Sequence, residues 1–505
     1  MSDGPALRAA ICANPADDTP RLVYADWLEE HDTPATVRRT GRAAPGANAK
    51  RAAFVRDRVQ LARLEAADAP ARALAAYVTR LLNKVERIDW TALDPDLAVH
   101  VALEYRLDKS AVGLTPKGES VPKVRGVSFE GWRRGFYDTV IVSDPDRFLA
   151  HADDVFRAVP VERARFAELT EEQARALVAA GHLARFRALS FGYGVEPDAL
   201  RVLGRHRDAA GVARIEFDEE GTDANVEALA AGTHWTGVRA LHLIDLESSD
   251  DPPEDEQCAE LFARPWCRGL QELIAWGSQL GRVSVRALAT KCPDLRHLDL
   301  GLNGIESAGA RALAESKTLR RLRYLDVGSC DIEGGDAQAA LIVSPNLPAL
   351  AVLVLGGNGS NGPSAKALAK AGRGPGLRAL EVNACSSAAA GALAACPELS
   401  GLYLLTFDGG GLSDESAARY FRAPNLDRLA YLDLSYSGIG PKGARALAAW
   451  PGAASIQWLN LSENKLTIAG VRALVDSPHL TNLRYLDASG RGLATLKKHF
   501  GKVTK

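Results

Sequence analysis

One phrase recurs through the second half of the chain, and it limits what the chain can fold into more than any other feature. Leu295-Arg-His-Leu298-Asp-Leu300-Gly-Leu-Asn303-Gly-Ile305 has the form LxxLxLxxNxI. It returns as Leu322-Arg-Tyr-Leu325-Asp-Val327, with Cys330 at the Asn place and Ile332 closing. Further copies start at Leu350, Leu377, Leu399, Leu429, Ile456 and Leu483, so that successive starts lie 27, 28, 27, 22, 30, 27 and 27 residues apart. Looser copies begin at Val161, Phe186, Val212, Val238 and Leu270, for about thirteen in all. Apolar residues at alternate positions, as at Leu298 and Leu300, mark a short strand with one buried face. A fixed period of this size marks a stack of small units rather than one closed core.

A second pattern is locked to the first. About 18 residues after each strand start comes an alanine-rich helical phrase, such as Gly309-Ala-Arg-Ala-Leu313, Gly443-Ala-Arg-Ala-Leu447 or Gly470-Val-Arg-Ala-Leu474. Pro397, Pro424, Pro451 and Pro478 follow these phrases, where proline helps to stop a helix. The unit is therefore strand, turn, helix, turn. A single unit cannot bury both its strand face and its helix face, whereas stacked units share one continuous core. Asn303, Asn358 and Asn464 are expected to satisfy turn backbone inside the stack, a structural role.

Over residues 161–495 the chain resembles the ribonuclease-inhibitor-like class of leucine-rich repeats, which have long repeats and true helices. The resemblance implies an α/β solenoid: a leucine-rich-repeat horseshoe with parallel strands on the concave side and helices on the convex side. Departures are local. The Leu399 copy follows its predecessor by only 22 residues, and Ser437 and Arg491 stand where Asn or Cys is expected.

The first part of the chain reads as a small helical module. Asp18 to His31 suggests a helix with Thr19 as N-cap, Pro20 in the first turn and an apolar stripe of Leu22, Val23 and Trp27, with Tyr24 beside it. Ala6 to Ala13 suggests a short helix before it. Phe54, Val55, Val59, Leu61 and Leu64 mark a third, and Ala73 to Ile88 a fourth. Pro20-Arg-Leu-Val-Tyr-Ala-Asp-Trp-Leu-Glu-Glu-His31, followed by Phe54-Val-Arg-Asp-Arg-Val-Gln-Leu-Ala-Arg63, resembles the repeat-companion domain at the N-terminus of repeat proteins from planctomycete-type bacteria. That resemblance implies a repeat array downstream and no particular activity. Asp26, Trp27 and Glu30 are read as core and solvated helix face rather than as a docking site. The expected division is 1–88, a helical companion module with a basic insert; 89–160, a linker and N-terminal cap; 161–495, the repeats; and 496–505, a basic tail. Within the cap, Gly126 to Trp132 and Gly135 to Val142 suggest paired strands.

Composition narrows the function classes. The formal net charge of −2, from 61 Lys and Arg against 63 Asp and Glu, gives no global attraction to nucleic acid or to an anionic membrane. Arg38, Arg39, Arg42, Lys50, Arg51, Arg56 and Arg58 gather around Asp57 alone, but base-stacking aromatics other than Phe54 are missing, which argues against nucleic acid. No run approaches a membrane span, and no signal peptide opens the sequence. Seven scattered cysteines suit reduced thiols, hence a cytoplasmic setting. No HExxH, GxSxG or EF-hand pattern appears. Gly357 to Ser364 is Gly-rich between a strand and a helix, but it lacks the Lys of a phosphate loop. Cys258 and Cys267 have no matching His pair for zinc, and the acidic loop Glu247 to Glu256 reads as a solvated insertion rather than a calcium site. The expectation is a non-enzyme without cofactor or metal.

The strand parity names a candidate surface. If Leu298 and Leu300 point inward, His297 and Asp299 face the concave side, and so do Tyr324 and Asp326, Val352 and Val354, Ala379 and Glu381, Gly401 and Tyr403, Tyr431 and Asp433, Trp458 and Asn460, and Tyr485 and Asp487. The binding residues expected from this are Tyr324, Asp326, Glu381, Tyr403, Tyr431, Asp433, Trp458, Asn460, Tyr485 and Asp487. Aromatics supply contact area at low entropy cost, and the acids favour a protein partner with a basic surface. The alternatives are an inhibitor that covers a partner enzyme, a nucleotide binder at the Gly357 turn or within 89–160, and a nucleic-acid binder through 36–58.

Overall fold

The computed structural model describes residues 4–31, 52–53, 55–56, 59–60, 123–133, 136–218, 222–246, 252–359, 362–369, 376–385, 387–422, 426, 428–488 and 503–504. The basic insert, the fourth helix, residues 89–122 and most of the tail lie outside these. The described chain forms two compact units that divide near residue 244, and each is described by itself.

The first unit opens with helices α1 (Gly4–Ala13) and α2 (Thr19–Glu30). Asp18 is the N-cap of α2 and Thr19 its first residue, so the helix starts one position earlier than the sequence suggests; the Thr19 N–H is held by Asp17 Oδ1 at 2.8 Å. The apolar face also differs from the expected stripe. Ile11, Tyr24, Ala25 and Leu28 form a core with Ala52, Val55 and Val59, while Leu22 and Trp27 pack at its margin. Val23 points outward at 40% exposure. Arg56 pairs with Asp26 at 2.6 Å and with Glu29 at 2.5 Å, so these acids fasten helical segments together.

Strands β1 (Val127–Arg133) and β2 (Phe136–Val142) pair antiparallel, and β2 then pairs parallel with β3 (Arg163–Leu169). The parallel order continues through β4 (Ala188–Val195), β5 (Arg214–Asp218) and β6 (Ala240–Ile244). Helices α3 (Pro145–Ala158), α4 (Glu171–Ala179), α5 (Pro197–Arg205) and α6 (Asp223–Ala230) alternate with the strands. Leu177, Leu200, Leu203 and Leu229 on these helices and Leu189, Ile215 and Leu241 on the strands have no exposed surface, which places the core between the two layers. Arg185 ties α1 to this layer: its guanidinium donates to the Cys12 carbonyl at 3.4 Å and lies 4.9 Å over the Phe156 ring.

The second unit repeats the plan more regularly. Strands β7 (Glu272–Ile274), β8 (His297–Asp299), β9 (Tyr324–Asp326), β10 (Val352–Val354), β11 (Ala379–Cys385), β12 (Leu404–Leu412), β13 (Tyr431–Asp433), β14 (Trp458–Leu461) and β15 (Tyr485–Ala488) lie parallel in sequence order, and β16 (Val503–Thr504) pairs with β15. Between them run α7 (Asp255–Phe262), α8 (Arg282–Lys291), α9 (Glu306–Ala314), α10 (Gly335–Ile342), α11 (Ala365–Leu368), α12 (Ser387–Ala395), α13 (Asp414–Tyr420), α14 (Pro441–Ala449) and α15 (Ile468–Val475). This is an α/β solenoid of leucine-rich repeats.

One register expectation fails. The tenth copy starts at Leu402, not Leu399: β12 pairs Leu404 with Ala379 and with Tyr431, while Pro397 to Leu399 form a 3-10 turn. Leu402 and Leu405 sit inside, so the steps around this copy become 25 and 27 rather than 22 and 30. The irregular spacing was a misplaced frame, because Leu399 fits the phrase as well as Leu402 does.

Two devices hold neighbouring repeats together. The Asn358 side chain accepts from the N–H groups of Cys330 and Ile332 at 2.8 and 3.1 Å, and it donates to the Val327 carbonyl at 2.6 Å. Asn303 does the same for Ser278, Leu280 and Ala275, at 3.0, 2.8 and 2.6 Å. Carboxylates also cap the following helix. Asp255 accepts from Gly281, Val283 and Ser284 at 2.8, 2.8 and 2.9 Å, covering the otherwise unpaired first N–H groups of α8. The acidic loop thus ends in a structural carboxylate. Asp414 repeats the arrangement at α14 with Gly440, Lys442 and Gly443.

Candidate partner-binding face

Register aligns the strand residues that alternate with the core leucines into two files on the sheet face away from the helices. The first file in the second unit reads His297, Tyr324, Val352, Ala379, Leu404, Tyr431, Trp458 and Tyr485; the second reads Asp299, Asp326, Val354, Glu381, Thr406, Asp433, Asn460 and Asp487. Nine of the ten residues singled out from sequence stand in these files. Tyr403 does not. It precedes β12, and Leu404 and Thr406 take the places expected of Gly401 and Tyr403.

The aromatic file is less open than strand parity alone suggests. Tyr324, Tyr431 and Trp458 are only 1–2% exposed, whereas Tyr485 is partly exposed. The rings stack flat along the file: His297 on Tyr324 at 4.3 Å, Tyr431 on Trp458 at 4.0 Å and Trp458 on Tyr485 at 5.6 Å, all within 5° of parallel. Strands about 4.8 Å apart bring rings on adjacent strands into contact. Burial, with Asp433 next in weight, pushes the Tyr431 phenol well above its ordinary range.

Partial exposure falls on the second file, at Asp326, Glu381, Thr406, Asp433, Asn460 and Asp487. Asp299 and Asp326 are register partners, so two carboxylates stand side by side. The Asp326 carboxyl is pushed up to about 7, first by burial and then by Asp299, with Glu381 adding to it. Asp433 accepts from the Ser435 N–H at 2.9 Å and from Asn460 Nδ2 at 3.1 Å. Among the described residues, the buried indole Nε1 of Trp458 and the buried hydroxyl of Thr406 have no hydrogen-bond partner.

The other sequence candidates resolve structurally. Gly357 occupies a left-handed turn at φ +72°, and Asn358 is consumed by the ladder described above. Cys258 is buried, and burial pushes its thiol up to about 12. Among the described residues no three His, Cys, Asp or Glu side chains are grouped to hold a metal, and no helix is long and apolar enough to cross a membrane.

The first unit carries a polar cluster that the sequence reading did not single out. Glu216 accepts from Ser190 Oγ at 2.8 Å, from Arg214 at 3.1 Å and from Arg163 at 3.4 Å, and His242 Nδ1 lies 3.5 Å away. Burial works to raise its pKa, but Arg214, His242 and Arg163 outweigh that and lower it. The same parity applied to Val212-Ala-Arg-Ile215-Glu-Phe217 would have placed Arg214 and Glu216 together on the open face.

A protein built of leucine-rich repeats is the class that this fold defines. Residues 291–314 and 429–448 match the family described as Leucine Rich repeat. No curated protein sequence matches the chain. Similar solved structures include an internalin (InlF) of Listeria monocytogenes str. 4b F2365, at 14% identity over 70% of this chain and 87% of that one, with a TM-score of 0.39. Another is the yeast Rad7–Elc1 complex, at 14% identity over 66% of this chain and 84% of the other, with a TM-score of 0.35.

Proposed function

We propose that the chain is a protein-binding scaffold whose second unit takes a partner through the open sheet face, the partner presenting Lys or Arg side chains. The observation that carries this is the file of acids held in register, in which Asp326 stands beside Asp299 and retains its proton up to about pH 7. Like charges on adjacent strands destabilise a sheet, and an incoming cation relieves them. The part of this face that a partner meets first is the acid file, with Tyr485 and Asn460 beside it.

The setting proposed with this function is the bacterial cytoplasm, with residues 1–88 as the companion module and 161–495 as the ribonuclease-inhibitor-like array. The scaffold is not an enzyme in this reading.

The test is affinity capture from lysate by the full chain and by a Glu381→Lys, Asp487→Lys variant with an unchanged circular dichroism spectrum. Asp433 is left intact because it holds the Ser435 turn. A protein kept by the wild type should fall at least tenfold in the variant, and capture should weaken as the pH drops through about 7 and Asp326 gains its proton. Equal capture by both chains places binding elsewhere and sinks the reading.

A further inference from the structure

In the second unit, the turns that follow β7 and β8 leave large apolar side chains in solvent. Trp276 and Leu302 are 41% and 44% exposed. They stand at the sixth and seventh residues after the starts of successive repeats. The turns are tied together: the Gly277 N–H donates to the Gly301 carbonyl at 3.0 Å, and the Leu302 N–H to the Gly328 carbonyl at 2.9 Å. A glycine makes room for the indole, because a Cβ on Gly301 would come within 2.9 Å of Trp276 Cδ1. Trp276 therefore lies against Gly301, with Leu302 the next residue along. Gly301 and Gly328 hold the place of Trp276 in the two following repeats, so backbone rather than another side chain flanks the ring.

The surroundings of this apolar rim are acidic. Residues 275–281, 300–306, 327–333 and 355–359 include Glu306, Asp331 and Glu333, all exposed, and no Lys, Arg or His. On their inner side the turns meet the acid file: the Gly301 and Gly328 N–H groups donate to Asp299 Oδ1 and Asp326 Oδ1 at 3.1 and 2.9 Å. A Cβ on Gly301 would also stand 3.4 Å from Asp299 Oδ1, so the indole borders that file. Leu302 adopts a left-handed backbone at φ +55°, where Gly277 and Gly357 sit without strain. An exposed leucine there gains little from burial and carries the strain, so the fold alone does not account for it.

We propose that this rim anchors a segment of a protein partner that carries an arginine beside an apolar residue, the arginine lying on Trp276 and the apolar residue on Leu302. The inference rests on the reading of the second unit as a protein-binding scaffold, but not on the acid file as its point of contact. An indole attracts cations to its face, guanidinium more often than ammonium. A guanidinium also meets carboxylates through a planar fork, so a ring set among acids favours Arg over Lys. Nucleic acid and anionic membrane carry the wrong sign for Glu306, Asp331 and Glu333. Apolar and aromatic anchors with a polar surround are the composition of a protein interface.

The experiment is fluorescence anisotropy of the full-length chain with three labelled octapeptides of equal charge, alternating Arg/Leu, Lys/Leu and Arg/Gly. The Arg/Leu peptide should bind at least fivefold more tightly than either of the others. Trp276→Ala should abolish its advantage over Lys/Leu, and Leu302→Asn its advantage over Arg/Gly; both side chains are exposed, and Asn tolerates the left-handed backbone. Undetectable binding of the Arg/Leu peptide, or a preference that survives both substitutions, overturns the proposal. If the rim variants change nothing while Glu381→Lys, Asp487→Lys weakens all three peptides alike, the rim fails and the acid file stands. If the rim variants act and that double variant does not, the acid file fails and the rim stands. Self-association of the chain in sedimentation velocity, abolished by Trp276→Ala, would make the occupant a second copy and also overturns the proposal.

Discussion

The two units use the same repeat to build opposite faces. In the first, cations surround one carboxylate, and the network of Arg163, Ser190, Arg214, Glu216 and His242 cross-links β3 to β6. In the second, flat rings stack along one file and carboxylates line the other, with Asp299 beside Asp326. The first face therefore contributes to the stability of its unit, while the second bears a cost. Nothing in the repeat core requires either arrangement, since both faces cover an apolar interior: Ala164, Phe166, Leu189, Phe191, Ile215 and Phe217 in the first unit, and Leu298, Leu300, Leu325 and Val327 in the second. Residues at the outward positions are where repeats that share an architecture come to differ in what they hold.

The interior widens the contrast. The second unit relies on asparagines after its strands, whereas the looser copies of the first lack them and use other groups, such as Asn225 donating to the Val195 carbonyl at 3.1 Å. Asn358 is wholly buried, and its side chain serves two N–H groups and the Val327 and Leu355 carbonyls. Removing it leaves several buried backbone groups unpaired at once. Asn358→Ala should cost about 3–5 kcal/mol, read by chemical denaturation, and should melt the second unit first. A loss under 1 kcal/mol would mean that water replaces the side chain and that the ladder is not what separates the units.

The faces themselves give the next effect, with opposite signs. Glu216→Gln removes the carboxylate charge that part-buried Arg163 and Arg214 share and should destabilise the first unit by about 2–3 kcal/mol. Asp326→Asn removes a like charge and should leave the second unit unchanged or up to about 1 kcal/mol more stable. Acid titration follows the same logic. The folded pKa of Glu216 is lowered, so its contribution is present above about pH 4.5 and is lost as the pH falls through the folded value. That of Asp326 is raised from 3.8 to about 7, so the folded chain binds this proton first and stability rises as the pH drops from 7 toward 4. Hydrogen exchange of each unit across that range checks both. Parallel responses of the two units would abolish the distinction between a stabilising face and a costly one.

The strands were legible because leucine alternation and the repeat period agree, and twelve of the thirteen frames coincide with the observed strands. The tenth slipped because Leu399 and Leu402 both satisfy an LxxL pattern, and only pairing with Ala379 and Tyr431 chooses between them. In the N-terminal module the expected stripe through Val23 was displaced because packing, not propensity, selects Tyr24 and Leu28. Parity assigned the side of the sheet correctly for nine site residues. It could not show that ring stacking would bury Tyr431 and Trp458, since exposure depends on neighbours across strands. The Glu216 cluster was within reach of the same rule but lay in copies too degenerate to draw attention.

The smallest effect is the most diagnostic of selection on the rim. The seventh residue after the repeat start adopts a left-handed backbone at Asp245, Gly277, Leu302, Ser329, Gly357, Tyr436 and Glu463, with φ between 52° and 72°. Gly277 and Gly357 adopt it without strain, and a Cβ at Gly357 would strike Ser329. Tyr436 and Leu302 carry the ordinary penalty for a side chain there, about 1 kcal/mol. Both are also large and apolar yet open to solvent, at 66% and 44% exposure. Tyr436→Asn puts a residue that tolerates this backbone at the same site and removes an exposed ring. It should raise stability by about 0.5–1 kcal/mol in urea titration. If the more stable chain also captures its partner less well, the ring is kept for contact, and the binding surface of the second unit extends from the acid file onto this rim. If stability rises while capture is unchanged, Tyr436 is a tolerated residue and the contact ends at the sheet. A fall in stability would mean that the ring packs more than its exposure indicates, and the strain argument fails.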